Sequence, residues 1–291
     1  MPELPEVETM CRGLDPIVGR RVVSAHCPKI DVKSIRYEPE KEKLLRKLKG
    51  SEIVRIDRRG KRVVIELTCG NLVFQPKMTG LVCLTDPPDP GHTRLILKME
   101  PSAERSGSGR NNLNCAEHVY FWDRRGLGTI SLWNAEELEQ HLGPDVLGPD
   151  ALLISVDDLQ RRASQSKRAI KVLLLDQKLV AGVGNLYASE ILHKIGLDPT
   201  VAADRINSRQ WGLLHAAMLE ILHTAIRYEG STLGDGTYRN ALNESGSYQN
   251  HHQVYDREGE LCLTCGKKAI VRIVQAQRAT FYCPGCQTKR K

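Results

Sequence analysis

Residues 262–286 open with Cys262-Leu263-Thr264-Cys265 and close, 17 residues later, with Cys283-Pro284-Gly285-Cys286. Two Cys-x2-Cys pairs at that separation have the spacing of a four-thiolate zinc site, each pair sitting on a tight knuckle. Four sulfurs fill a tetrahedron and leave no open position, so the expected Zn2+ is structural. The chain between the pairs is then a two-stranded hairpin carrying Arg272 and Arg278, with Lys289, Arg290 and Lys291 after it. Cations on such a ribbon can lie on nucleic-acid phosphates or simply face water. The chain has nine cysteines. An odd count in a chain of this size without a signal peptide favours reduced thiols. Cys11, Cys27, Cys69, Cys83 and Cys115 are scattered and read as ordinary core or surface thiols.

Toward the N-terminus from the cysteines, Gly230 to Tyr255 is a long polar segment rich in Gly, Ser and Asn, a length that usually serves function or is disordered. Before it the periodicity is helical. Helices are expected over Val156 to Ser164, Ala169 to Asp176, Ala188 to Ile195 and Ser208 to Tyr228; the last has Leu213, Leu214, Ala217, Met218, Ile221, Leu222 and Ile226 recurring on one face. Gly182 and Gly184 form a turn ahead of a helix, where free N–H groups can meet a phosphate or where two helices simply join. The Lys-Ser/Thr of a P-loop is missing and no strand precedes the turn, which argues against a dinucleotide fold.

Gly143-Pro144 and Gly148-Pro149 mark a boundary after a short helix that begins near Ala135. Upstream of it the chemistry changes to short β-branched runs at Ile53–Ile56, Arg62–Leu67, Leu72–Phe74, Leu95–Leu97, Val119–Trp122 and Thr129–Leu132, separated by turn residues. Six such runs predict an antiparallel sandwich. Pro101 to Asn114 reads as a long loop within it, and Glu6 to Gly13 as a helix before it. The expected fold class is α+β with two domains: an N-terminal β-sandwich over 2–134, a linker over 135–155, a helical domain over 156–255 and a zinc hairpin over 256–291.

Lys and Arg number 42 against 35 Asp and Glu, a net charge of +7 that favours a polyanionic partner. Glu3, Glu6 and Glu8 interrupt any signal-like apolar run, and no stretch reaches membrane-spanning length, so the expectation is an intracellular protein (cytoplasm or nucleoid) with no membrane partner. Arg58, Arg59, Lys61 and Arg62 surround Gly60 in one turn, as a solvated tip or an anion site. Pro2 precedes Glu3. With Met1 removed, it presents a secondary amine; terminal amines have pKa values of about 7.7–8.0 against about 10.4 for lysine, so far more free base is available at neutral pH. Such an amine can form an iminium with an aldehyde or sugar C1′. A proline in second place also serves terminal processing alone.

In their order along the chain, these residues resemble the formamidopyrimidine-DNA glycosylase and endonuclease VIII family. The likeness is carried by Pro-Glu-Leu-Pro-Glu-Val-Glu-Thr at 2–9, Arg59-Gly60-Lys61, Lys77-Met78-Thr79-Gly80, Leu175-Asp176-Gln177-Lys178 through Asn185, and Ala276-Gln277-Arg278 through Cys283. The resemblance implies a β-sandwich, a helix-two-turn-helix domain and a zinc hairpin. It implies a base-excision-repair glycosylase and lyase, a monomer acting on double-stranded DNA with damaged bases or abasic sites. In the catalytic set it makes Pro2 the nucleophile, Glu3 the general acid/base, Glu6 a supporting group and Lys61 a cation near the lesion phosphates. For DNA contact it implies Lys178, Asn185 and Arg278 on phosphates, Met78 filling the void left by the flipped base, Arg125 facing the orphaned base and Leu127 as wedge.

The chain departs from the family pattern where substrate choice is made. Asp123-Arg124-Arg125-Gly126-Leu127-Gly128 stands in place of Asp-Pro-Arg-Arg-Phe-Gly, which removes a phosphate contact at Gly126 and an aromatic wedge at Leu127. Gln75 stands where the family commonly has His, and Gly234-Asp235-Gly236-Thr237 replaces the usual lid residues. The lid segment favours oxidised purines such as 8-oxoguanine and formamidopyrimidines. An endonuclease VIII-like preference for oxidised pyrimidines and a non-catalytic zinc-ribbon nucleic-acid binder are the alternative readings.

Overall fold

The computed structural model describes residues 2–101, 116–234, 236 and 238–289. The expected loop from Pro101 to Asn114 lies, Pro101 apart, outside them, as do Met1, Cys115, Asp235, Thr237, Arg290 and Lys291. The chain divides into two compact units, one of residues 1–143 with 228–247, the other of 144–227 with 248–291.

The first unit begins with α1 (Leu4–Leu14). Pro5 is tolerated in the first turn, where its missing N–H has no intrahelical partner to lose. Leu4, Val7, Met10, Cys11 and Leu14 recur on one face and are buried. Nine strands follow: β1 (Val22–His26), β2 (Arg36–Glu38), β3 (Ile53–Arg59), β4 (Arg62–Leu67), β5 (Gly70–Gln75), β6 (Gly80–Cys83), β7 (Thr93–Met99), β8 (His118–Asp123) and β9 (Thr129–Trp133), with α2 (Lys41–Leu48) and α3 (Ala135–Leu142). They form a four-stranded sheet in the order β1-β7-β8-β6 and a five-stranded sheet in the order β2-β9-β5-β4-β3. The six expected strands are present, and every pairing is antiparallel except β2 with β9. One core cluster takes residues from both sheets and from α1, including Met10, Leu14, Phe74 and Phe121.

The sequence reading missed β1, β2, β6 and α2. In α2, Lys41-Glu42-Lys43 and Arg46-Lys47 mask a helix that buries only Leu44 and Leu48, one turn apart. β1 is a strand with a single fully buried residue, Val22, so no alternation marks it.

The second unit holds α4 (Val156–Ala163), α5 (Ile170–Leu174), α6 (Asn185–Lys194) and α7 (Ser208–Arg227), then the hairpin of β10 (Val271–Gln275) and β11 (Arg278–Tyr282). α6 packs on α7 and on β11. The Ser155 hydroxyl caps α4 by accepting the Asp158 N–H at 3.2 Å. α7 differs from its expected face at one position: Leu213 is 49% exposed, while Trp211 and Ala225 join the buried stripe. No described helix is long and apolar enough to cross a membrane.

Arg94 on β7 is 1% exposed. Its Nε and Nη2 donate to the Asp123 carbonyl at 2.9 and 2.6 Å, and its Nη1 donates to the Lys33 carbonyl at 2.8 Å. A buried guanidinium that satisfies two carbonyls fixes the end of β8 against the 33–35 segment. Arg94→Met should remove those donors and cost about 2–4 kcal/mol. Thermal unfolding should then show a Tm lower by several degrees, and an unchanged Tm would show that Arg94 holds nothing.

Candidate active site and nucleic-acid interface

Pro2, Glu3 and Glu6 are all buried at the start of α1. Glu3 is the N-cap, and Glu6, three residues on, closes a capping box with it. The Glu3 N–H donates to Glu6 Oε2 at 2.8 Å. Glu6 Oε1 in turn accepts the Ser231 N–H at 2.9 Å, which brings in chain from 225 residues away. Gly230 makes that approach possible: its φ is +76°, and a Cβ there would lie 2.8 Å from Glu6 Oε1. Tyr238 is buried beside them, with its hydroxyl donating to the Glu229 carbonyl at 2.8 Å, and burial raises its pKa well above the ordinary phenol value. The backbone following Pro2 is therefore held by the first turn of its own helix and by the 229–238 segment.

Lys61 follows Gly60 in the β3–β4 turn, and Gly60 has φ +58°. Of the four cations around this turn, Arg58 is not a solvated tip. It donates to Glu8 Oε2 at 2.8 Å and to the Gly60 carbonyl at 3.1 Å. Glu8 also accepts Arg12 Nε at 2.8 Å. Burial alone would raise the Glu8 pKa, but the bonds and charges of Arg58 and Arg12 pull it below the usual carboxylate value. The turn bearing Lys61 is thus clamped to the helix bearing Glu3 and Glu6.

Met78, Arg125 and Leu127 belong to two loops joined through Asp123, which is 0% exposed. Asp123 accepts the Thr79 hydroxyl at 2.6 Å, the Arg125 N–H at 3.2 Å and the Gly128 N–H at 2.7 Å. Thr79, next to Met78, also accepts the Arg125 N–H at 3.0 Å. Leu127 is exposed. Gly126 has φ +61° and a Cβ there would meet the Lys33 carbonyl at 2.8 Å, so a larger residue does not fit this loop as it stands.

In the second unit the Gly182–Gly184 turn is shaped by Gln177, whose amide donates to the Val183 carbonyl at 2.9 Å and accepts the Gly182 N–H at 3.0 Å. Asn185, the first residue of α6, donates to the Ala279 carbonyl at 2.9 Å, which places it beside the strand that Arg278 opens. Lys171, absent from the sequence reading, completes this cluster. It is fully buried and donates to Asn185 Oδ1 and to the Ala279 carbonyl. The available signal was a lysine inside the apolar run Ile170-Lys171-Val172-Leu173-Leu174. Lys178 and Arg278 are exposed. Ala276 and Gln277 take φ of +45° and +60° to turn the hairpin just before Arg278, a conformation usually left to Gly or Asn.

The four sulfurs of Cys262, Cys265, Cys283 and Cys286 lie within 4.8 Å of one another. Cys262 and Cys286 are 3.7 Å apart, Cys265 and Cys283 3.8 Å. Zn–S bonds of about 2.3 Å in a tetrahedron put sulfurs roughly 3.8 Å apart, so the residues fit one structural zinc. The N–H groups of Lys267 and Lys268 pull the Cys265 thiol down to about 6, which favours the thiolate. Two residues of α6 serve this module. The Glu190 carboxylate accepts the N–H groups of Gln253, Val254 and Tyr255 at 2.8–3.0 Å. His193 places Nε2 3.6 Å from Cys262 Sγ; with zinc bound, the thiolate could only accept, so that nitrogen would carry the proton. Thiol titration should release one zinc per chain. His193→Phe should lower zinc affinity about 10-fold in competition with a chromophoric chelator, and equal affinity would reduce the His193 contact to packing.

A β-sandwich with a proline buried beside two carboxylates, a helix unit and a four-thiolate hairpin define a zinc-bearing helix-two-turn-helix protein. The formamidopyrimidine-DNA glycosylase N-terminal domain matches residues 1–130, its H2TH domain residues 142–236, and the zinc finger found in FPG and IleRS residues 259–289. Formamidopyrimidine-DNA glycosylase of Dinoroseobacter shibae is 35% identical over 99% of this chain and 100% of its own, and that of Solibacter usitatus is 34% identical over the same shares. Among solved structures, MutM (Fpg) of Thermus thermophilus superposes with a TM-score of 0.81 at 34% identity, covering 98% of each chain. A point mutant of Lactococcus lactis Fpg, in complex with DNA containing Fapy-dG, gives a TM-score of 0.82 at 31% identity, covering 99% of this chain and 100% of that one. The chain belongs to the formamidopyrimidine-DNA glycosylase family.

Proposed function

We infer that this chain is a base-excision-repair DNA glycosylase with AP lyase activity, whose nucleophile is the Pro2 amine freed by removal of Met1. The observation that carries the reading is the burial of Pro2 next to two carboxylates, with Glu6 committed by its hydrogen bonds to Glu3 and Ser231. A base flipped out of the duplex exposes its C1′ to an amine at this position. Attack at C1′ displaces the damaged base, and proton transfer from Glu3 to the ring oxygen opens the sugar to the iminium. Withdrawal of the C2′ proton then expels the 3′ phosphate, and a second elimination expels the 5′ phosphate. Lys61 offsets the repulsion between the two carboxylates and the lesion phosphates.

Lys178, Asn185 and Arg278 grip phosphates, with Lys171 orienting Asn185, while Met78, Arg125 and Leu127 occupy the space the extruded base leaves. Functionally the modules run over 2–134, 156–255 and 256–291, linked by 135–155. The substrate class is oxidised purine, 8-oxoguanine and formamidopyrimidine, which the Gly230–Leu233 start of the lid segment supports. The protein works as a monomer on double-stranded DNA in the cytoplasm or nucleoid.

Borohydride should trap a covalent adduct between the processed protein and abasic DNA, and its absence would refute the lyase assignment. Glu3→Gln should lower base excision by about 10²–10⁴-fold while still opening a preformed abasic site; equal loss of both would show that Glu3 has another role. Matched duplexes with 8-oxoguanine, formamidopyrimidine or thymine glycol should be cut in favour of the two purine lesions, whereas preferential cutting at thymine glycol would move the chain to the pyrimidine branch.

A further inference from the structure

The β5–β6 connection contains a feature that the assigned roles leave unused. Val63 pairs with Phe74 across β4 and β5, which sets Arg62 opposite Gln75 at the strand ends. With its amide oriented to suit its neighbours, Gln75 presents one carbonyl oxygen to Arg62 Nη2 at 3.1 Å and to Lys77 Nζ at 3.2 Å. Two cations therefore meet on a single neutral acceptor. No carboxylate among the described residues pairs with either of them. Lys77 is also held at φ +54°, a left-handed conformation that a lysine adopts at a cost. Strain of this kind persists where a function requires it. Lys77 is exposed, so its ammonium is open to a ligand.

We propose that Lys77 and Arg62, converging on Gln75, form a seat for a DNA backbone phosphate next to Met78. The proposal rests on the reading of the chain as a DNA glycosylase. Like charges gathered on an uncharged amide repel each other, and an anion turns that repulsion into attraction. Burial followed by the nearby Arg62 charge already pulls the Lys77 pKa below the ordinary lysine value, as expected for a cation waiting for a counter-charge. The neighbouring loop explains why charge is supplied here. Gly126 has lost the family's phosphate contact, and the Lys33 carbonyl closes the space in which a side chain could restore it. Thr79 ties the turn bearing Lys77 to that loop through Asp123 and Arg125.

The test measures binding of the full chain to a duplex with a tetrahydrofuran abasic analogue, and to the undamaged duplex, over a KCl series. Asn tolerates the left-handed conformation, so Lys77→Asn should keep or raise Tm while weakening binding about 5-fold at roughly 0.1 M salt. The slope of log K against log[KCl] should become shallower by about 0.9, one phosphate contact. Both duplexes should lose affinity by the same factor, since a backbone contact carries no base information. Lys77→Arg should retain the wild-type slope. An unchanged slope in Lys77→Asn would overturn the seat. So would an equal change in Lys43→Gln, an exposed α2 substitution that alters only net charge. A wild-type chain that binds neither duplex would instead overturn the glycosylase reading and the seat with it.

Discussion

The carboxylate of Glu6 is the interaction around which the first unit is arranged. One oxygen closes the first turn of α1 on the Glu3 N–H and the other fixes the Ser231 N–H. A residue that both begins a helix and receives a distant segment cannot move without disturbing the position of its neighbours. Pro2, one residue before Glu3, inherits this rigidity. Glu8, two residues further along the same helix, extends the scheme by holding Arg58, and through it the Gly60–Lys61 turn. The helix therefore acts as a rail on which Pro2, Glu3 and the Lys61 turn are spaced by covalent geometry and two carboxylates. Precise placement of reacting groups supplies much of an enzyme's rate advantage.

The second unit uses buried cations and thiolates in the same way. Lys171 lies in full burial, where Asn185 and the Ala279 carbonyl accept its hydrogens and offset the cost of burying an ammonium. The same contacts join the N-terminus of α6 to β11. Farther along α6, Glu190 and His193 hold the start of the zinc module. One ten-residue helix thus connects the Gly182–Gly184 turn at its beginning to the four-thiolate site near its end.

The parts legible in the sequence were those with a period or a fixed spacing. The Cys pairs, the long face of α7, the strand runs and the Gly-Asn turn all stand out as elements, because packing and coordination impose repeats on the chain. Hidden from a sequence reading were β1, β2 and α2, which bury too few residues to generate a pattern, and β6, whose four residues are all buried and so show no alternation. The sequence also could not tell which charges are buried. Arg58, Arg94 and Lys171 look like surface cations in a basic chain, and each is a structural anchor. Their partners are mostly backbone carbonyls or residues far along the chain, and neither leaves a trace in local composition. The zinc ligands stood out because their spacing is short, whereas the Glu6–Ser231 bond spans 225 residues and is invisible to any local motif.

That span has a consequence for synthesis of the chain. The first unit is completed by residues 228–247, which follow the helices of the second unit in sequence. At about 5–20 residues per second, translation reaches Ser231 several seconds after the sandwich strands have been made. Until then the Glu6 oxygen that Ser231 occupies has no such partner, and Pro2 is framed on one side only. The order of the chain thus delays the finished surroundings of Pro2 until the helical unit has been synthesised, so a ribosome-bound fragment carries the proline without its mature setting.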